Sequence, residues 1–260
     1  SDSRARFLLA TDMDNPIWLR LQGSQVKDGD VETDYVFATF GAHRKVGDNT
    51  LVGLMLMLDQ QREQNKSAMI SGTGWLAGPY VVGRLPEHGI TYDARALWGQ
   101  STNDVQPFGT YTDTFKTDRM LLSFGLSGTL DYGATTLTPR LSGTYTTDKQ
   151  RSYVDGLGNT IPEQDVALTQ VMAGLNASRS VTFGETPWTL TGGVDAIHTA
   201  SGGANASSTP NFEGTRGRIN MGLLHRMDSG GQIKLGLTYD GIGVDDYTAL
   251  GLTAAFEIAF

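Results

Sequence analysis

The sequence predicts an all-β fold: a transmembrane, antiparallel, up-and-down β-barrel of about 12 strands, with a short N-terminal segment of one or two helical turns in its lumen. Three observations predict it. First, residues 247–260 sort by alternation. Thr248, Leu250, Leu252, Ala254, Phe256, Ile258 and Phe260 fall on one side; Ala249, Gly251, Thr253, Ala255, Glu257 and Ala259 fall on the other. Successive strand side chains point to opposite faces, so one face is greasy and the other small or polar. The run exceeds the usual strand of about five or six residues and suits the roughly 9–11 that cross a bilayer in a barrel. Second, the alternation recurs along the chain in about 12 segments, an even number of the kind single-chain bacterial barrels use. Third, the connections alternate between short and long, the asymmetry of a barrel with short periplasmic turns and longer external loops.

Composition narrows the alternatives. The chain has 260 residues, 39% of them hydrophobic, and no run near the roughly 18 apolar residues of a membrane helix. Ser1 opens a polar stretch without an apolar signal core, so an export signal is expected upstream of it. With no cysteine, disulfides, thiolate metal sites and cysteine nucleophiles are excluded. A net charge of −8 without a basic block argues against a nucleic-acid partner. The 33 glycines are scattered through apolar stretches, as bends and close backbone approaches in a barrel require, and not gathered into a linker. A secreted β-sandwich also fits these totals, and only the patterning separates the two.

In order, residues 1–15 carry Ser, Asp and Arg around Phe7-Leu8-Leu9-Ala10, a linker or the remnant of a pore helix that Asn15-Pro16 would end. Residues 16–260 form the barrel. Its segments are expected near 16–26, 33–46, 50–64, 71–85, 90–103, 113–132, 135–149, 165–181, 188–200, 213–227, 231–243 and 247–260. Short turns rich in Gly, Asp, Asn and Pro join them at 47–49, 86–89, 133–134, 184–187 and 228–230. Longer polar connections are expected at 60–70, 103–112, 151–164 and 201–212. The third segment, Val52 to Leu58, is apolar on both faces and does not identify itself alone.

Each greasy face is nearly free of charge. The opposite face gathers Arg20, Asp93, Arg95, Arg119, Asp131, Arg140, Asp195, Arg216, Arg218, Lys234, Asp240 and Glu257, which are expected to face the lumen. An Arg or Lys facing lipid at mid-bilayer costs about 2–4 kcal/mol, which explains such segregation. The mixed sign favours ion pairs across the lumen over a strongly ion-selective pore. Tyr92, Trp98, Tyr132, Trp188, Tyr239 and Phe260 would form interfacial girdles against outer-membrane lipid and lipopolysaccharide.

No nucleophile elbow, phosphate loop, zinc-protease or EF-hand motif occurs. His43, His88, His198 and His225 are isolated, and solvated or interfacial positions are expected for them. Asp59, Asp104, His198 and Ser201 are rim positions that a barrel hydrolase could draw on, but nothing in their spacing selects them. No catalytic site, metal or cofactor is assigned.

Four stretches resemble the C-terminal translocator (β-domain) of the autotransporters, the type V secretion proteins of Gram-negative bacteria. They are Pro16-Ile17-Trp18-Leu19-Arg20 with Gly23; Gly72-Thr73-Gly74-Trp75-Leu76-Ala77-Gly78-Pro79-Tyr80 with Tyr92-Asp93-Ala94-Arg95 and Trp98-Gly99; Leu137-Thr138-Pro139 with Gly143-Thr144-Tyr145; and Tyr239-Asp240-Gly241-Ile242-Gly243 with Asp245-Asp246-Tyr247 and Phe260. The resemblance implies a twelve-stranded barrel in the bacterial outer membrane that anchors an N-terminal passenger and assists its protein transport to the surface. It also implies a helix threading the pore, and a C-terminal assembly signal in Phe256, Ile258 and Phe260 read by the barrel-assembly machinery. The chain departs from the pattern in having about fifteen residues before the first strand, where a full pore helix needs roughly 20. It also lacks the Asn-Asn junction that some members cleave. A stand-alone outer-membrane porin or structural barrel without a passenger is the alternative.

Overall fold

A computed structural model describes residues 2–10, 15–66, 68–106, 111–203, 213–245 and 247–260. A single helix, α1 (Asp2–Ala10), precedes the strands β1 (Ile17–Asp28), β2 (Val31–Lys45), β3 (Thr50–Asn65), β4 (Ala68–Leu85), β5 (Ile90–Gln106), β6 (Asp113–Ser127), β7 (Leu130–Tyr132) and β8 (Thr135–Gln150). A small hairpin follows, β9 (Tyr153–Val154) and β10 (Thr160–Ile161). The sheet resumes with β11 (Gln164–Phe183), β12 (Thr186–Gly202), β13 (Gly214–Arg226), β14 (Gln232–Ile242) and β15 (Ala249–Ala259). Each strand pairs antiparallel with its neighbour, β8 pairs with β11, and β1 pairs with β15, so the sheet closes on itself. The result is a 12-stranded barrel with β7 as a short extra piece. No helix among the described residues is long and apolar enough to cross a membrane; the crossing elements are strands.

β7 continues β6 in register, since Ser127 faces Arg140 and Leu130 faces Leu137. The ladder breaks between them because Pro139 has no N–H to donate. Gly128 still donates its N–H to the Pro139 carbonyl at 2.9 Å. Its own carbonyl, deprived of that return bond, accepts instead from Arg6 Nη2 of α1 at 2.7 Å.

The outer face is greasy over its whole circumference. Leu54 (67% exposed), Met221, Leu237, Leu250 and Leu252 all stand on it. The seam between first and last strands shows the alternation plainly: Ala249, Gly251, Ala255, Glu257 and Ala259 are shielded, whereas Leu250, Leu252 and Phe260 are exposed. The seam is locked by ladder pairs from Trp18↔Ala259 to Asp28↔Ala249, and at its end Phe260 N–H donates to the Ile17 carbonyl at 2.7 Å.

Strand positions follow the sequence expectation within a few residues, with one correction. The connection expected at 60–70 is not a long loop: β3 and β4 run on to Asn65 and Ala68 and meet in a tight turn where Lys66 takes a left-handed φ of 54°. Ladder bonding needs no apolar side chains, so the strands continue past the greasy belt with polar residues on both faces. Opposite charges face each other across the β2–β3 ladder there, as at Arg62↔Asp34. The connection at 151–164 carries the β9–β10 hairpin. Parts of the expected connections at 103–112 and 201–212, including the tip at Ala204 and Asn205, lie outside the described residues, as does Asp246.

Candidate functional site

Two unlike halves make up the barrel interior. One half is apolar. Ala5, Phe7 and Leu8 of α1, all but fully buried, pack on Trp18, Leu51, Met55, Leu76, Tyr80, Val82 and Leu97 from β1, β3, β4 and β5. This accounts for the third segment being apolar on both faces: Leu54 and Leu58 face outward while Leu51 and Met55 receive the helix. The shape of that wall rests on Trp18. Its ring lies over Gly41, its cross-strand neighbour on β2, and its partner across the seam is the small Ala259. A Cβ at Gly41 would stand 2.2 Å from the indole, so only glycine fits there.

Trp18 Nε1 donates to the Tyr80 hydroxyl at 2.6 Å, and the same hydroxyl lies 2.7 Å from His43 Nδ1. Both rings meet Tyr80 edge-on, with centroids 5.9 and 6.2 Å away. His43 is therefore buried, only 7% exposed, and not solvated as expected from the sequence. Burial is tolerated because the tyrosine hydroxyl satisfies one ring nitrogen.

The other half is charged. Asp195 on β12 is the hub, with a fully buried carboxylate. Arg140 Nη2 reaches both its oxygens at 2.7 and 2.8 Å, Arg218 Nε donates to Oδ2 at 3.2 Å, and Asn220 adds another bond at 3.2 Å. Arg216 binds Asp240 at 2.8 Å and Thr199 at 2.7 Å, with Tyr247 over its guanidinium at 5.2 Å. At the seam Arg20 Nη1 donates to Glu257 at 2.5 Å, and Gln232 donates to the second oxygen at 2.6 Å. Arg119 reaches across to Asp59 at 2.8 Å, which the bare Cα of Gly74 permits: a Cβ there would lie 2.3 Å from the Arg119 guanidinium.

Among the sequence-singled neighbours spaced by two, Arg216 and Arg218 serve different carboxylates. Asp93 is buried but does not pair with Arg95, whose Nε donates to Ser123 at 3.2 Å. Lys234 lines the cavity described next. Asp131 is exposed and accepts from Thr136 at 2.7 Å. Phe256 and Ile258 are half-buried on β15, and Phe260 is exposed. The four rim candidates are not brought together: Asp59 holds Arg119, Asp104 accepts from Thr114, His198 pairs with Thr215, and the Ser201 amide binds Glu213. No cluster of three metal-ligating side chains occurs among the described residues.

Between α1 and the wall of β8 and β11–β14 lies a cavity of about 530 Å³, bordered by Arg6, Thr138, Arg140, Arg218, Arg226 and Lys234 among others. It sits at the end that carries the short turns. At the opposite rim the β9–β10 hairpin folds back on β6. Tyr153 stacks on Phe115 with centroids 5.4 Å apart, and the Gly156 amide donates to Asp113 at 2.6 Å. Asp155 closes the hairpin turn, accepting from the Asn159 side chain and backbone and from the Leu157 amide. The Asn159 side-chain bond, then those backbone donors, hold its carboxyl below the ordinary value. Arg151, bidentate on Asp118, is raised by those hydrogen bonds.

The residues that sequence reasoning missed are the apolar ones, Trp18, Tyr80 and His43, together with Arg6. The two-sided greasiness of residues 52–58 was the one sequence signal of the apolar half.

Over residues 17–241 the chain matches the family model described as "Autotransporter beta-domain". Among solved structures, it is similar to the β domain of the Bordetella autotransporter BrkA, with 13% identity, 95% of this chain and 99% of that chain covered, and a TM-score of 0.73. It is similar to the transport unit of AIDA-I from Escherichia coli at 14% identity, 94% and 90% coverage and a TM-score of 0.68. The translocator domain of NalP from Neisseria meningitidis matches at 17% identity, 100% and 95% coverage and a TM-score of 0.66. At these identities the likeness establishes the fold. No curated protein matches the sequence.

Proposed function

The chain belongs to the autotransporter β-domain family, and from that membership we propose how its interior serves export. It is an outer-membrane translocator domain that anchors an N-terminal passenger and assists its passage through that membrane. The stand-alone pore reading is not favoured. Within that role, residues 1–15 are the tether: α1 holds the passenger's junction inside the barrel, and residues 16–260 are the membrane-embedded unit. The observation that carries this is the docking of Phe7, Leu8 and Arg6 against the inner wall. A chain that enters the barrel there leads its upstream residues into the interior.

The inner charges, Arg20, Asp93, Arg95, Arg119, Arg140, Asp195, Arg216, Arg218, Lys234 and Glu257, then hydrate the passage, several of them held in ion pairs: Arg20 with Glu257, Arg140 and Arg218 with Asp195, Arg119 with Asp59, and Arg216 with Asp240. Phe256, Ile258 and Phe260 act as the assembly signal for the barrel-assembly machinery, and the greasy belt meets lipid and lipopolysaccharide. The domain performs no catalysis of its own. A test fuses a short epitope ahead of Ser1 in cells that display the folded barrel. Surface labelling of the epitope is expected; a folded barrel whose epitope stays in the periplasm refutes the proposal. Replacing Phe260 with Asp is expected to lower the amount of heat-modifiable barrel in the membrane, and an unchanged amount counts against the assembly signal.

A further inference from the structure

We propose that the cavity at the short-turn end is a binding site for a small multivalent oxyanion of the phosphate class. Its basic side chains come from four elements: Arg6 on α1, Arg140 on β8, Arg218 and Arg226 on β13, and Lys234 on β14. Among the described residues, no Asp or Glu lines it. Arg179 also borders the cavity but is not counted. On β11 it shares the parity of Leu175, and it faces Leu190 across the ladder, both of them exposed on the outer face.

Two carboxylates that bond lining residues are already engaged; Glu257 holds Arg20 and Gln232. Asp195 serves Arg140 and Arg218 together, so two guanidiniums stand against a single negative charge. The Arg226 side chain makes no hydrogen bond or ion pair with any described residue. The neutral part of the lining adds donors rather than acceptor charge: Thr136, Thr138, Thr191, Thr238 and Asn220.

Positive charge on several walls of a recess within a low-dielectric shell focuses the field and raises the local concentration of anions. The benefit grows with the charge of the anion, which favours a di- or trianion over chloride. Guanidinium forks match the geometry of phosphate oxygens and bind them two at a time. A volume of about 530 Å³ admits pyrophosphate with part of its water shell. The site asks nothing of the passenger, so it stands or falls apart from the export reading.

The test uses the whole chain folded in detergent, titrated with inorganic pyrophosphate by calorimetry at constant ionic strength. Saturable binding of one pyrophosphate per barrel is expected. Arg226→Gln combined with Lys234→Gln is expected to weaken it at least tenfold, and Arg151→Gln on the outer hairpin to leave it unchanged. No saturable heat with the unaltered chain, or equal affinity in the double variant, overturns the proposal. Saturation by an acidic peptide that pyrophosphate cannot displace overturns it as well. Should the double variant fail to fold, the reversal potential of the unaltered barrel in a planar bilayer under a KCl gradient decides. Anion preference that pyrophosphate abolishes from the short-turn side supports the site; cation preference refutes it.

Discussion

Replacing Pro139 with alanine is expected to loosen α1 inside the barrel. The link is the Gly128 carbonyl. Opposite a proline it has no ladder donor, and Arg6 Nη2 takes it at 2.7 Å while also bonding Thr129 Oγ1 at 2.8 Å. A hydrogen bond from a charged donor contributes about 1.5–3 kcal/mol when shielded. The Thr129 bond is exposed, so the pair together is worth about 2 kcal/mol, or roughly 30-fold in the docked population. Arg6→Ala is therefore expected to raise hydrogen exchange of the α1 amides by about that factor. Alanine at 139 restores an N–H worth about 0.5–1.5 kcal/mol to the ladder, in competition for the same carbonyl. In the Pro139→Ala background the penalty of Arg6→Ala should fall to about half, a coupling that a double-mutant cycle measures directly. An Arg6→Ala penalty that is the same in both backgrounds refutes the reasoning, as does α1 exchange indifferent to Arg6.

Three further outcomes follow from the interior and its rim. Asp195→Asn removes the one charge between two guanidiniums. Breaking a buried pair costs about 3–5 kcal/mol, and water reaching Arg140 and Arg218 reduces this to about 2–3 kcal/mol, read from urea unfolding in bilayers; a loss under about 0.5 kcal/mol contradicts it. Gly41→Val drives a side chain into the Trp18 ring, and overpacking of about 1–3 kcal/mol should lower the fraction of barrel that resists unfolding by heat on a gel. A third outcome concerns pH. Because Asp155 has a folded-state pKa below its ordinary 3.8, its hydrogen bonds support the β9–β10 hairpin fully above that value, and the support is lost as pH falls through the lower, folded-state value. Limited proteolysis of the hairpin should therefore rise only in that acid range, and Asp155→Asn should abolish the pH dependence; proteolysis that rises equally in the unaltered chain and in the variant speaks against it.

What the sequence disclosed was whatever follows a period of two. β6, β13, β14 and β15 each set greasy residues on one parity and polar ones on the other, so their spans were legible, with their charges on one parity. The partners of those charges were not, because Arg140 and Asp195 are far apart in sequence and only the closed register brings them together. The stretch 60–70 was read as a long connection, although β3 was placed to 64, because past the greasy belt both faces are wet and alternation carries no information. His43 was misplaced for the opposite reason. Its neighbours in sequence, Arg44 and Lys45, are polar, while the Tyr80 hydroxyl that accommodates it comes from another strand. Arg6 gave no signal at all, since its anchor exists only where Pro139 leaves a carbonyl open.

The ladder from Trp18↔Ala259 to Asp28↔Ala249 joins residues more than 200 positions apart. Until β15 emerges, β1 has no partner on that side, and the nascent sheet carries two raw margins able to capture any passing strand. Closure is thus the last event in time and the most distant in chain order, a combination that makes unaided folding slow. A chaperone or membrane template that shelters both margins at once would convert that hazard into a single committed step.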